Sequence, residues 1–178
     1  MRARVRGIFW DALELFLKKE AENIFSGVSE RNLCGRLAIY LEEQAAKRKI
    51  RGYIADPEYN RMQNGRIKAI LDDEYREIHI CCDLILHSRG RLQPDNLIAI
   101  EMKKSTRPED EKVKDRYRLR ALTKSSFDGV WSFDGKTQPE YVCRYFWGYY
   151  IILDVNRQTC EVEVFAGGHH AGEQVFYF

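Results

Sequence analysis

The chain has 178 residues, 44% hydrophobic and 31% charged, with a formal net charge of +2. That length suits one domain with a sizeable core, and the composition excludes a disordered chain. Five cysteines, odd in number and without CxxC spacing, exclude a disulfide scaffold and point to reduced thiols in a cytoplasmic setting. No apolar run approaches the ~18 residues of a membrane span, so no membrane partner is expected. The basic start, Met1 to Arg6, leads into a helical pattern containing Asp11 and Glu14, unlike a signal peptide.

The charge is unevenly spread. Residues 125–178 hold three basic and seven acidic residues, a balance of −4, so residues 1–124 carry +6. The excess concentrates in 103–124, with nine basic and four acidic residues. Such asymmetry suits a polyanionic partner.

Residues 8–25 place Phe9, Ala12, Leu13, Phe16 and Leu17 at helical spacing. After the break at Ser26-Gly27, Ser29 is a cap for a second helix to about Lys49, with Leu33, Leu37, Tyr40 and Leu41 inward. Residues 52–61 read as a short strand that, because it contains Pro57, is an edge strand or one that bends. Residues 62–75 read as a loop or a short helical turn. Strands are expected at 77–87 and 96–103, joined by a turn holding Gly90 and Pro94. Thr106 to Glu109 has the Thr-x-x-Glu form of a capping box, predicting a helix to about Lys124. Its packing side is read as Val113, Tyr117 and Ala121. Strands at 148–155 and 160–165 form a hairpin, Gly167 to His170 a flexible turn, and Phe176 to Phe178 a docked tail.

The 77–87 and 96–103 strands carry the chemistry. Paired antiparallel, facing residues have numbers summing to about 184, which sets His87 opposite Leu97 and Asp83 opposite Glu101. Directly opposed side chains share a face, and the period of two adds Lys103 to it. Like charges opposed across a ladder cost about 0.2–1 kcal/mol, and burial without partners costs more. A divalent cation relieves both costs. Mg²⁺ takes oxygen from one or two carboxylates, retains waters and accepts phosphate oxygens. Met102, through its carbonyl, is a further candidate ligand. Lys103 is placed to stabilise negative charge or to orient and help deprotonate an attacking water.

Asp83, following Cys82 at a strand, and Glu101-Met102-Lys103 on the next strand, with a basic helix after them, resemble the PD-(D/E)xK phosphodiesterase superfamily. The similarity covers about residues 29–124. Cys82 stands where that family often has proline. The resemblance implies an α/β (α+β) fold with a restriction endonuclease-like three-layer core, a central mixed sheet flanked by helices. One nuclease-like domain over 1–178 is expected, with 1–28 as an N-terminal helical extension. It further implies a Mg²⁺- or Mn²⁺-dependent endonuclease acting on nucleic acid, DNA before RNA. Asp83, Glu101 and Lys103 are the candidate catalytic residues. Many members add an acid from the preceding helix, which here is Glu30, with Glu58 as the competing choice.

Lys112, Arg116, Arg120 and Lys124 recur every four residues as one stripe that can track phosphates, with Lys114 and Arg118 a second pair on the same spacing and Lys104 and Arg107 an extension of the basic surface. An inactive nuclease-fold module for nucleic-acid binding or protein assembly is the alternative function. The long first helix is also a candidate homodimer element.

Overall fold

A computed structural model describes residues 1–58, 69–71, 77–79, 82–125 and 144–178, the two short segments by backbone alone. In chain order the elements are α1 (Arg2–Phe25), α2 (Glu30–Lys47), β1 (Ile54–Pro57), β2 (Ala69–Leu71), β3 (Glu77–His79), β4 (Leu84–His87), β5 (Asn96–Lys104), α3 (Glu109–Thr123), β6 (Trp147–Asp154), β7 (Thr159–Ala166) and β8 (His169–Tyr177).

The first helix begins six residues earlier than its strongest stripe, because Val5 continues the apolar row below Ile8 and Phe9 and is fully buried. It ends where Gly27, at φ +76°, takes the left-handed position. Gly27 N–H then donates to Ile24 O and Val28 N–H to Asn23 O, closing the exposed carbonyls of the last turn. Ser29 caps α2 as its sequence implies, its Oγ accepting from Asn32 N–H at 3.2 Å.

Six strands form one mixed sheet in the order β1-β4-β5-β6-β7-β8. Only β5 and β6 run parallel, so a crossover must join them, and α3 lies within it. One face of the sheet buries Ile98, Ile100, Met102, Tyr149 and Ile151 under α1 and α2. The other buries Ala99, Tyr150, Ile152 and Phe165 under Leu119 and Leu122 of α3. Helices therefore flank a central sheet on both faces, an α+β arrangement in three layers. The apolar stripe of α1 is covered within the chain, with Phe9 stacked on Tyr149 at 3.4 Å between ring centroids. Among the described residues no helix is long and apolar enough to cross a membrane.

Several expectations change. The strand read over 77–87 is two strands. Residues 77–79 pair with 69–71 in a separate two-stranded sheet, and only 84–87 join the main sheet. Residues 69–71, read as loop or helical turn, are thus a strand. The rest of 62–75, apart from that strand, lies outside the described residues, as do 59–61 of the edge strand. Pairs in the β4–β5 ladder do sum to 184 at 84–86, but a bulge after Leu86 sets His87 opposite Asn96, not Leu97. Helix α3 starts at Glu109 with Pro108 as its cap residue and no side-chain cap bond, so Thr106 makes no capping box. The backbone turns first, through Arg107 N–H to Lys104 O. Val113 and Tyr117 are exposed, and the inward side of α3 is Asp115, Leu119 and Leu122. The docked tail is replaced by the end of β8, a nine-residue edge strand with Phe176 half-buried and Tyr177 exposed, and the turn expected over Gly167 to His170 shrinks to Gly167-Gly168, both at positive φ.

Candidate active site

Strand β5 alternates. Ile98, Ile100 and Met102 turn toward α1 and α2, so Glu101 and Lys103 turn toward α3. Asp83 sits at a bend just before β4, where its carbonyl accepts from Glu58 N–H at 3.0 Å. Its Oδ2 accepts from Met102 N–H at 2.9 Å and stands 3.6 Å from Lys103 Nζ. Asp83, Glu101 and Lys103 are thereby gathered at the end of the β4–β5 ladder. In an extended strand the N–H and C=O of one residue point to the same neighbour. The Met102 carbonyl accordingly lies on the Asp83 side, while its side chain is buried with Sδ 4.0 Å from Cys34 Sγ.

Glu101 is fully buried. Its Oε1 accepts from an Arg118 guanidinium nitrogen at 2.5 Å, and its Oε2 is buried with no hydrogen-bond partner among the described residues. Burial, then the Asp83 charge, pushes the Glu101 carboxyl well above its usual range against the pull of Arg118. Lys103 is pulled down by burial, but the Asp83, Asp115 and Glu101 carboxylates outweigh this and hold it above its ordinary value. It is therefore an ammonium at neutral pH, suited to stabilising negative charge and not to accepting a proton. Asp115, on α3, lies 3.3 Å from Lys103 Nζ and 3.0 Å from Arg118. Burial raises its carboxyl pKa despite both cations.

The other two candidate ligands are engaged in ion pairs. Glu30, in the first turn of α2, accepts from Lys104 N–H at 2.9 Å and meets Arg107 at 3.3 Å. Glu58 is half exposed and pairs with Arg31 at 2.9 Å. The third carboxylate at the cluster is Asp115. Asp115 carries no reading from the sequence and Arg118 reads only as a basic pair with Lys114, although 115, 118, 119 and 122 have the i, i+3, i+4, i+7 spacing of a buried helix face. Two charges on that face were the available signal.

The basic stripe is only partly open. Arg116 is held by Glu163 and Glu109 at 2.7–3.0 Å. Lys112 donates to Ser105 O and meets Glu109. Lys104 donates to Gly27 O, Lys124 is half-buried beside Gly168, and Arg120 is exposed beside the Tyr117 ring.

Among the described residues no three His, Cys, Asp or Glu side chains form a ready metal cage. The donor set nevertheless fits a hard divalent cation that uses one or two carboxylates and retains water. Glu101 Oε2 is a buried carboxyl oxygen without a hydrogen-bond partner among the described residues, the Asp83 charge acts on that carboxyl, and three carboxyl groups face two cations. Compared with models of known protein families, with curated proteins and with solved structures, the chain matches none.

Proposed function

We propose that this protein is a Mg²⁺- or Mn²⁺-dependent phosphodiesterase acting on nucleic acid, DNA before RNA, as a PD-(D/E)xK-type endonuclease in the cytoplasm. The observation that carries the reading is the buried Oε2 of Glu101, without a hydrogen-bond partner among the described residues, on the same face as Lys103, with Asp83 at the adjoining ladder end. A fully buried carboxylate with one unsatisfied oxygen is costly and calls for a function. Asp83 and Glu101, with the Met102 carbonyl, would hold the metal. When bound, the metal supplies Lewis acidity to phosphate oxygens and to an attacking water. The Lys103 ammonium offsets negative charge that develops on the phosphoryl group. Exposed cations of α3, Arg120 first among them, hold the backbone of the nucleic acid.

Purified protein with Mg²⁺ or Mn²⁺ is offered plasmid, linear and branched DNA and RNA. Wild type is expected to cleave at least one of them, and Lys103→Ala to lose about 10²–10³-fold in rate. Equal background cleavage by wild type and Lys103→Ala on every substrate rejects the enzyme reading. A second reading, a nuclease-like scaffold used only for binding, is favoured by the complete burial of Glu101 beneath α3. It requires that calorimetry find no Mn²⁺ site that Glu101→Gln removes.

A further inference from the structure

Helix α3 reaches the two site residues of β5 with side chains that the Asp…Glu-x-Lys pattern does not contain. One Arg118 nitrogen serves both Glu101 Oε1, at 2.5 Å, and Asp115 Oδ1, at 3.0 Å. The other Asp115 oxygen stands 3.3 Å from Lys103 Nζ, and Asp83 flanks the same ammonium at 3.6 Å. The charges alternate in sequence: Asp83, Lys103, Asp115, Arg118, Glu101. Each β5 side chain is thus held by one residue of α3, and Asp115 and Arg118 are neighbours on the helix surface at i, i+3. Leu119 and Leu122 anchor that helix in the core, so the two holding groups move as a unit.

The division of contacts at Glu101 matters most. Arg118 takes Oε1 and leaves Oε2 buried without a hydrogen-bond partner among the described residues. Holding Oε1 restricts how far the carboxyl group can turn away from the cluster. We infer that Arg118 and Asp115 are positioning residues of the candidate phosphodiesterase site. Arg118 fixes Glu101 so that Oε2 is the oxygen available to a divalent cation, and Asp115 fixes the Lys103 ammonium beside Asp83. This rests on the function proposed above. Groups that orient metal ligands in this way typically carry about 10–100-fold of metal affinity or activity.

The test titrates Mn²⁺ calorimetrically into the full chain as wild type, Arg118→Met, Arg118→Lys and Asp115→Asn. Arg118→Met is expected to bind Mn²⁺ about tenfold or more weakly. Arg118→Lys is expected to fall between it and wild type, because one nitrogen makes both contacts. Asp115→Asn is expected to keep near-native Mn²⁺ affinity and KM while kcat falls by about tenfold, since it acts through Lys103. Wild-type Mn²⁺ affinity in folded Arg118→Met, with only the melting temperature lowered, makes Arg118 a merely structural residue and overturns the inference alone. If Arg118→Met does not fold, wild-type affinity in Arg118→Lys overturns it equally. Absence of any Mn²⁺ site in wild type overturns the phosphodiesterase reading, and the inference falls with it.

Discussion

Two buried glutamates, one in each helical layer, have opposite environments. Glu20 of α1 is satisfied at both oxygens: Asn23 donates to Oε2 at 2.6 Å, and Arg36 and Tyr40 donate to Oε1 at 2.8 and 2.5 Å. Burial pushes its pKa up, but those hydrogen bonds outweigh burial and hold the carboxyl below its usual value. Glu101 has one partnered oxygen and one orphan, and its carboxyl is raised. Glu20 is a brace between α1 and α2 inside an otherwise apolar layer. Glu101 is an incompletely satisfied carboxyl on a face where α3 brings charges as well as Leu119 and Leu122 to the sheet. The same residue type serves stability in one place and, on the function proposed, would hold a metal in the other. What separates them is the count of satisfied lone pairs, not burial.

The layers should differ most under truncation. Phe16→Ala opens the fully buried α1 layer and is expected to cost about 3–5 kcal/mol. Tyr117→Ala, on the exposed side of α3, is expected to stay within about 0.5 kcal/mol. Urea denaturation of both variants measures this. A large loss for Tyr117→Ala would contradict the inward face of α3 described above.

The two glutamates should also respond oppositely to pH. The folded pKa of Glu20 is lowered from 4.5, so its contribution is present above that pH and lost as pH falls below it. Glu20→Gln is expected to cost about 1–3 kcal/mol near neutrality, with the gap to wild type closing in acid. The folded pKa of Glu101 is raised above 4.5, so its contribution is present below that pH and lost as pH rises toward the folded value. Glu101→Gln is therefore expected to melt above wild type, by a margin that widens as pH rises above 4.5, while cleavage is lost. Parallel melting curves for the two variants across that range would remove the distinction.

What the sequence made legible follows from how local each signal is. The α1 stripe, the Ser29 cap and the β6–β7 hairpin are set by near neighbours and read correctly. The 184 register was also readable, because apolar strands on both sides of a short turn leave few pairings; the bulge after Leu86 was not, since nothing in Leu86-His87 differs from regular strand. Strand β8 was missed because it is an edge strand exposed along most of its length, so His169 to Tyr177 carries no apolar alternation. At the site, Asp83, Glu101 and Lys103 were visible as a motif. Asp115 is hidden, and Arg118 reads only as part of a basic pair, because the inward face of α3 mixes ion pairs with Leu119 and Leu122, whereas apolar spacing alone points to Val113 and Tyr117. Glu30 and Glu58 were plausible acids whose arginine partners, Arg107 and Arg31, are distant in sequence.

The smallest expected effect concerns the outer side of α3, where two arginines four residues apart differ in their commitments. Arg116 is bound by Glu163 and Glu109, and its pKa is raised chiefly by the Glu163 contact. Releasing it to a phosphate would strand two carboxylates, so Arg116→Ala should mainly lower stability. Arg120 is exposed, with the Tyr117 ring 5.9 Å away, and can exchange water for phosphate at little cost. A single phosphate contact releases about one counterion, so Arg120→Ala should reduce the slope of log K against log salt by about 0.9 on duplex DNA. The loss should be similar across sequences, because such a contact reads no base. Binding isotherms on one duplex at several salt concentrations measure the slope. If Arg116→Ala changes it and Arg120→Ala does not, the nucleic acid must displace the Glu163 pair, and the face of α3 that meets it is the one turned toward β7.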